Sequence, residues 1–257
     1  MISEKINADS KTSIIPFITC GYPNIEDFIE LLIAIENSGA SVIEIGMPNS
    51  DPLAEGLTIQ YSSSIAIKNG INTNKCIETV RMARSKGLTI PVVLMGYYNN
   101  ILAYDIKKFC RDSNEAGVNG LIIADLPIYE ADPIIYETNL NNISYIPLLS
   151  VNSPQSIIEK ACKIASGFIY CVSVLGVTGE RKVTFDRVEN LVNSVKVHTD
   201  TPVAVGFGVS NKSDVNNIGK FADAAIVGSA LINQIKNNRD GNIIKITESF
   251  ISSLIEQ

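Results

Sequence analysis

The sequence predicts a single (β/α)8 barrel spanning residues 1–257. Three observations point there. Eight short apolar runs, most of them rich in Val and Ile, alternate with longer amphipathic segments. No low-complexity linker divides the 257 residues, and a 46% hydrophobic content is enough for one large core. Glycines follow several amphipathic segments, as Gly39, Gly87 and Gly117 do, which suits a left-handed helix stop. An open doubly wound sheet is the alternative arrangement.

The strand runs are Ile14–Thr19, Val42–Ile45, Pro91–Met95, Gly120–Ala124, Tyr145–Leu149, Phe168–Val172, Pro202–Val205 and Ala224–Val227. Each is short and nearly continuous in apolar character, as expected of parallel strands buried on both faces. Helical spacing is read over Ile25–Ser38, where Phe28, Leu31, Leu32 and Ile35 share a face. It recurs over Thr73–Lys86, Asp105–Ala116, Pro154–Ala165, Asp186–Val197, Lys212–Lys220 and Asn242–Ile255.

Composition excludes several functions. A net charge of -6 with no Lys/Arg cluster disfavours nucleic-acid and anionic-membrane partners. The five cysteines, Cys20, Cys76, Cys110, Cys162 and Cys171, form no CxxC pair and read as isolated thiols in a reducing compartment. Met1–Lys11 lacks the apolar stretch of a signal peptide, and no run is long enough to span a bilayer, so a cytoplasmic location is expected. The one histidine, His198, reads as a surface residue, and a transition-metal site is not expected. A hard-metal site on Asp51, Glu55 and Asp125 is the weaker alternative to no metal at all.

In a parallel barrel the active site lies at the C-terminal ends of the strands. No lysine stands at those ends, which disfavours Schiff-base chemistry. Glu44 interrupts an apolar strand, where an ionised carboxylate is costly to bury. A buried acid at a strand end is a candidate acid/base group; its structural alternative is a carboxylate satisfied by backbone donors. Asp51, in Ser-Asp-Pro, and Asp125, before Leu-Pro, also read as ordinary turn or cap residues. Gly206-Phe207-Gly208 follows the seventh run and Gly228-Ser229 the eighth, where barrels hold phosphate on backbone N–H groups. Tight turns alone are the plainer account of those glycines. Ser173–Lys182, long and glycine-punctuated, reads as a lid over the substrate or as a surface loop without a role.

Together these segments resemble the tryptophan synthase α subunit family over nearly the whole chain. The resemblance rests on Pro16-Phe17-Ile18-Thr19 with Gly21 and Pro23, and on Ile43-Glu44-Ile45-Gly46 through Ser50-Asp51-Pro52-Leu53-Ala54-Glu55-Gly56 with Ile59-Gln60. It continues through Met95-Gly96-Tyr97-Tyr98-Asn99, Gly120–Pro127, Gly176-Val177-Thr178-Gly179, Gly206-Phe207-Gly208 and Val227-Gly228-Ser229-Ala230. It implies retro-aldol cleavage of indole-3-glycerol phosphate to indole and glyceraldehyde 3-phosphate, with no cofactor in this chain. By its match to the motif, Glu44 is the residue that gives and takes protons. Glu55 falls where the family's second carboxylate, usually Asp, accepts the indole N–H. Thr178 and Gly179 match the lid. Gly179, Gly208, Gly228 and Ser229 match phosphate contacts, and Phe17, Tyr97, Ala124, Tyr170 and Phe207 match the walls of the indole and glycerol pocket. Asn49 and Leu57 stand where the family often has an aromatic and a proline.

The resemblance also implies an αββα heterotetramer with a β subunit, pyridoxal phosphate residing in that partner. Two alternatives stay open: a catalytically weak barrel that mainly activates the β subunit, and another phosphosugar-processing barrel enzyme.

Overall fold

The computed structural model describes residues 2–8, 11–52, 55–172, 185–206, 208–239 and 241–255. The chain opens with α1 (Ile2–Ile6), β1 (Ser13–Thr19), α2 (Ile25–Asn37) and β2 (Ile43–Gly46). Then come α3 (Leu57–Lys68), α4 (Thr73–Ser85), β3 (Val92–Gly96), α5 (Tyr98–Tyr104), α6 (Ile106–Ala116) and β4 (Gly120–Ile123). A 3₁₀ turn (Ile128–Glu130) leads to α7 (Asp132–Leu140), β5 (Ser144–Tyr145), β6 (Leu148–Ser150), α8 (Gln155–Ile164) and β7 (Ile169–Val172). The last elements are α9 (Phe185–Lys196), β8 (Val203–Gly206), α10 (Lys212–Ile218), β9 (Ala224–Val227), α11 (Ser229–Asn237) and α12 (Ile243–Ile255).

The nine strand segments of the described residues lie in the order β5-β4-β3-β2-β1-β9-β8-β7-β6, and each pairing among them is parallel. The segments β5 and β6 are halves of one strand, the one expected over Tyr145–Leu149. Ile146 N donates to Leu121 O on one side, and Pro147 O accepts from Tyr170 N on the other. Proline has no N–H to continue the ladder, so the strand breaks at Pro147 as it passes from one neighbour to the other. That handover closes the sheet into a barrel.

The core has an inside and an outside, as strand alternation requires. Ile15, Phe17, Val42, Val93, Ile122, Phe168, Tyr170, Ala204, Ala224 and Ile226 pack inside, together with Ile2 and Ile6 of α1. Residues one step out of phase, such as Ile18, Ile43, Ile45 and Leu94, pack outward against helices. Burial on both sides accounts for the unbroken apolar runs.

Gly39, Gly87 and Gly117 have φ of 93°, 104° and 91°, the left-handed stops expected of them. The loops opposite the site are held by Arg84. Its guanidinium donates to the carbonyls of Leu88 (2.9 Å), Ile90 (2.8 Å) and Gly117 (2.9 Å) and to Asn119 Oδ1 (2.8 Å). Arg84→Met takes the guanidinium donor from the Leu88, Ile90 and Gly117 carbonyls, while Asn119 Oδ1 keeps its bond from Val92 N, so it is expected to destabilise the fold by about 2–4 kcal/mol. Urea unfolding should show a lower midpoint with an unchanged slope.

Five helices beyond the expected set appear among the described residues: α1, α3, α5, α7 and α11. The reason is clearest in α3, which buries Ser62 and Ser63 beside Ala66 and so shows no apolar stripe in the sequence. The buried Ser62 hydroxyl is paired instead. Thr19 Oγ1 lies 2.6 Å from Ser62 Oγ, which donates to Ile59 O at 2.9 Å.

Candidate active site

Alternation along β2 turns Ile43 and Ile45 outward and Glu44 inward. Its Cα partners in register are Phe17 and Val93, both interior residues. The side chain is fully buried, and neither carboxylate oxygen has a hydrogen-bond partner among the described residues. Among the described residues no backbone donor satisfies it, as the structural alternative requires. Ionising an unpaired acid here is expensive, and burial pushes the Glu44 pKa up to about 8. Tyr170 lies close enough that burial first, and then the Glu44 charge, raise its phenol well above the ordinary value.

Glu44 faces a cavity of about 290 Å³ lined also by Phe17, Glu55, Met95, Tyr170, Ile226 and the first turns of α3 and α11. Glycines make room for its walls. A Cβ at Gly46 would overlap the Phe17 ring, and one at Gly206 would overlap Tyr170. Glu55 precedes α3, whose cap residue Gly56 offers no side-chain hydrogen bond. Tyr97, 42 residues further along the chain, donates its hydroxyl to Glu55 Oε2 at 2.5 Å. Burial raises the Glu55 pKa, and the Tyr97 bond holds it back.

At the other end of the cavity α11 begins at Ser229 with Gly228 as cap, again with no side-chain cap bond. Free backbone N–H groups and the helix dipole there suit an anion. Gly208, with φ of 79°, stands beside them. Only glycine takes that conformation readily, so the turn also opens the backbone to a ligand.

Of the expected site residues, the structure brings Phe17, Glu44, Glu55, Tyr170, Gly208, Gly228 and Ser229 to one cavity. Tyr97 joins through its bond to Glu55. Ala124 instead borders a neighbouring recess with Leu148 and Ser150. Thr178, Gly179 and the rest of the expected lid, and Phe207, lie outside the described residues. Asp125 has a local role, since its Oδ1 accepts from Tyr98 N at 2.7 Å at the start of α5. Asp51 is exposed, and its amide donates to Asn49 Oδ1. His198 is exposed, with Nε2 2.7 Å from Gln155 Nε2. Among the described residues no group of three or more His, Cys, Asp or Glu is placed to hold a metal ion, and no helix is long and apolar enough to cross a membrane.

The sequence reading missed Met95, Thr58, Ile59 and Ile226 in the cavity wall. The signal for Met95 and Ile226 was parity: each stands two residues after an inward residue, Val93 and Ala224. Thr58 and Ile59 carried no such signal, because α3 itself was not legible.

A parallel barrel with a proton-holding acid, a second carboxylate and an uncapped helix start at one mouth is the architecture of a phosphate-handling acid/base enzyme. Residues 4–254 match the family model described as "Tryptophan synthase alpha chain". The tryptophan synthase alpha chain of Roseiflexus sp. is 39% identical over 249 residues, covering 97% of this chain and 95% of its own. The tryptophan synthase of Saccharomyces cerevisiae is 36% identical over 96% of this chain, which spans 35% of that longer protein. The fold superposes with a TM-score of 0.86 on a Pyrococcus furiosus chain, 30% identical, over 95% of this chain and 98% of that one. That structure is described as the basis of mutual activation of a tryptophan synthase α2β2 complex. This chain belongs to the tryptophan synthase alpha chain family.

Proposed function

We propose that the chain, acting as one (β/α)8 domain over residues 1–257, is a carbon–carbon lyase of tryptophan biosynthesis. It cleaves indole-3-glycerol phosphate to indole and glyceraldehyde 3-phosphate. The observation that carries this reading is the fully buried Glu44, without a hydrogen-bond partner among the described residues, which faces the same cavity as Glu55 and the start of α11.

Glu44 enters as a carboxylic acid and gives its proton to indole C3, forming an indolenine. As a carboxylate it then takes the proton of the glycerol hydroxyl next to the ring. The C–C bond breaks as the carbonyl of the aldehyde forms, its electrons return to the indole, and Glu44 is a carboxylic acid again. Glu55, as a carboxylate, accepts the indole N–H and stabilises the positive charge that C3 protonation places on the ring. Phe17 and Tyr170 supply flat walls, and Gly208, Gly228 and Ser229 hold the phosphate on backbone N–H groups. Tyr97, Ala124 and Phe207 complete the pocket, with Thr178 and Gly179 in the lid.

Family membership supports a β subunit as partner in an αββα assembly that receives the indole. Pyridoxal phosphate belongs to that subunit, and this chain needs no cofactor of its own. The free cysteines suit a cytoplasmic enzyme. Indole release should be measured with the full chain alone and with a purified β subunit. Release alone, and faster release with the β subunit, is the expected result. Faster turnover of a ribulose or aminosugar phosphate, or no cleavage in either condition, would refute the lyase assignment.

A further inference from the structure

Helices α3 and α11 both start at the cavity and run from it side by side. Gly56, Leu57, Thr58 and Ile59 line it from α3, and Gly228 and Ser229 from α11. Contacts between the two helices, and with Arg239 just past the end of α11 and Tyr22 after β1, recur along the seam. Thr58 Oγ1 donates to Asn233 Oδ1 at 3.4 Å. Lys236 Nζ sits 4.2 Å from the Tyr61 ring centre, and the Arg239 guanidinium lies 5.5 Å from the centres of both Tyr61 and Tyr22. Tyr22, fully buried after β1, meets Tyr61 edge-on with ring centres 6.3 Å apart. The two cations therefore lie along an aromatic pair that belongs to the other side of the seam.

The α3 side of the seam reaches Glu55 directly. Gln60 Nε2 donates to Glu55 O at 2.9 Å, one residue before Tyr61. The hydroxyl contact between Thr19 and Ser62 ties the same turn of α3 to β1. A ligand phosphate that fixes the start of α11 thus acts on a helix strapped to α3, the helix that Glu55 precedes and is bonded to through Gln60.

We propose that Tyr61 is a positioning residue: gripped by Lys236 and Arg239, it makes phosphate binding at the start of α11 set the placement of Glu55 for the reaction. The proposal rests on the assignment of Glu55 and the phosphate site given above. Binding energy from a remote, non-reacting group is used in this way to order a reacting centre, and it is then realised in kcat rather than in KM.

The experiment compares turnover of indole-3-glycerol phosphate with that of its dephosphorylated analogue, indole-3-glycerol, in Tyr61→Leu, Tyr61→Phe and a Lys236→Met/Arg239→Met double variant. The double variant changes only exposed side chains and so keeps the test valid if Tyr61→Leu does not fold. Tyr61→Leu and the double variant are expected to lower kcat on the phosphorylated substrate about tenfold. KM, the affinity for inorganic phosphate and the rate on indole-3-glycerol should each stay within about twofold. Tyr61→Phe, which keeps the ring, should match the parent enzyme.

Unchanged kcat in both Tyr61→Leu and the double variant would overturn the strap. So would equal losses on both substrates, which mark a general structural defect, or loss of phosphate affinity, which places the effect at the phosphate itself. Glu55→Ala separates the two levels. If it loses activity while the strap variants do not, only the strap fails; if it keeps full activity, the Glu55 assignment fails and the strap with it.

Discussion

Glu44→Gln is expected to lower kcat for indole-3-glycerol phosphate cleavage by about 10³-fold, with KM changed only a few-fold. The amide fills the same space but neither gives a proton to C3 nor takes one from the hydroxyl. An unchanged rate would remove Glu44 from the chemistry. Because burial raises its pKa to about 8, the free enzyme holds Glu44 protonated at neutral pH. Activity that needs this proton is present below that value, so kcat/KM should fall as pH rises through about 8. The same substitution reports on stability. The folded state binds the Glu44 proton more tightly than the unfolded chain, so ionisation costs stability as pH rises from the ordinary glutamate range towards 8. Glu44→Gln is free of that cost. Its stability relative to the parent should rise across this window, reaching a gain of a few kcal/mol in urea unfolding at the alkaline end.

Glu55→Ala should lower kcat/KM by about 10²-fold, because the charge that develops on the indole nitrogen loses its partner. Glu55→Asp keeps a carboxylate and should retain most of the activity. Equal activity in the two variants would take Glu55 out of the mechanism. The ionised form is the active one here, and burial holds the Glu55 pKa above the usual carboxylate range despite the Tyr97 bond. The acidic limb of the kcat/KM profile should lie correspondingly high, giving a bell with Glu55 on its acid side and Glu44 on its alkaline side. Glu55→Gln should abolish the acid limb and leave the alkaline one.

Much of this was legible in the sequence, for local reasons. A strand buried on both faces must be apolar throughout, so β1, β2, β3 and β8 declared themselves, and a lone acid among them, Glu44, stood out. The glycines at 208 and 228 marked a turn and a helix start through their own backbone freedom. Where burial is polar, the signal vanished. Helix α3 buries Ser62 and Ser63, and the Ser62 hydroxyl finds partners on β1 and in its own turn, a pattern that composition reads as a loop. Helix α11 was legible only as a glycine motif, although Leu231, Ile232 and Ile235 make it part of the core.

The sequence by itself determined the eight-fold alternation, the anomaly of Glu44 in an apolar strand and the places where the backbone turns sharply at strand ends. These depend on periods of two and 3.6 residues and on single residue types, so they are written within a few positions. Tertiary structure alone decided that Glu44 has no hydrogen-bond partner among the described residues and that burial raises its pKa, because both depend on what the other strands place around it. It alone joined Tyr97 to Glu55 across 42 residues and laid Lys236 and Arg239 against Tyr61. Burial and contact between distant segments exist only once the sheet has closed, and no local period encodes them.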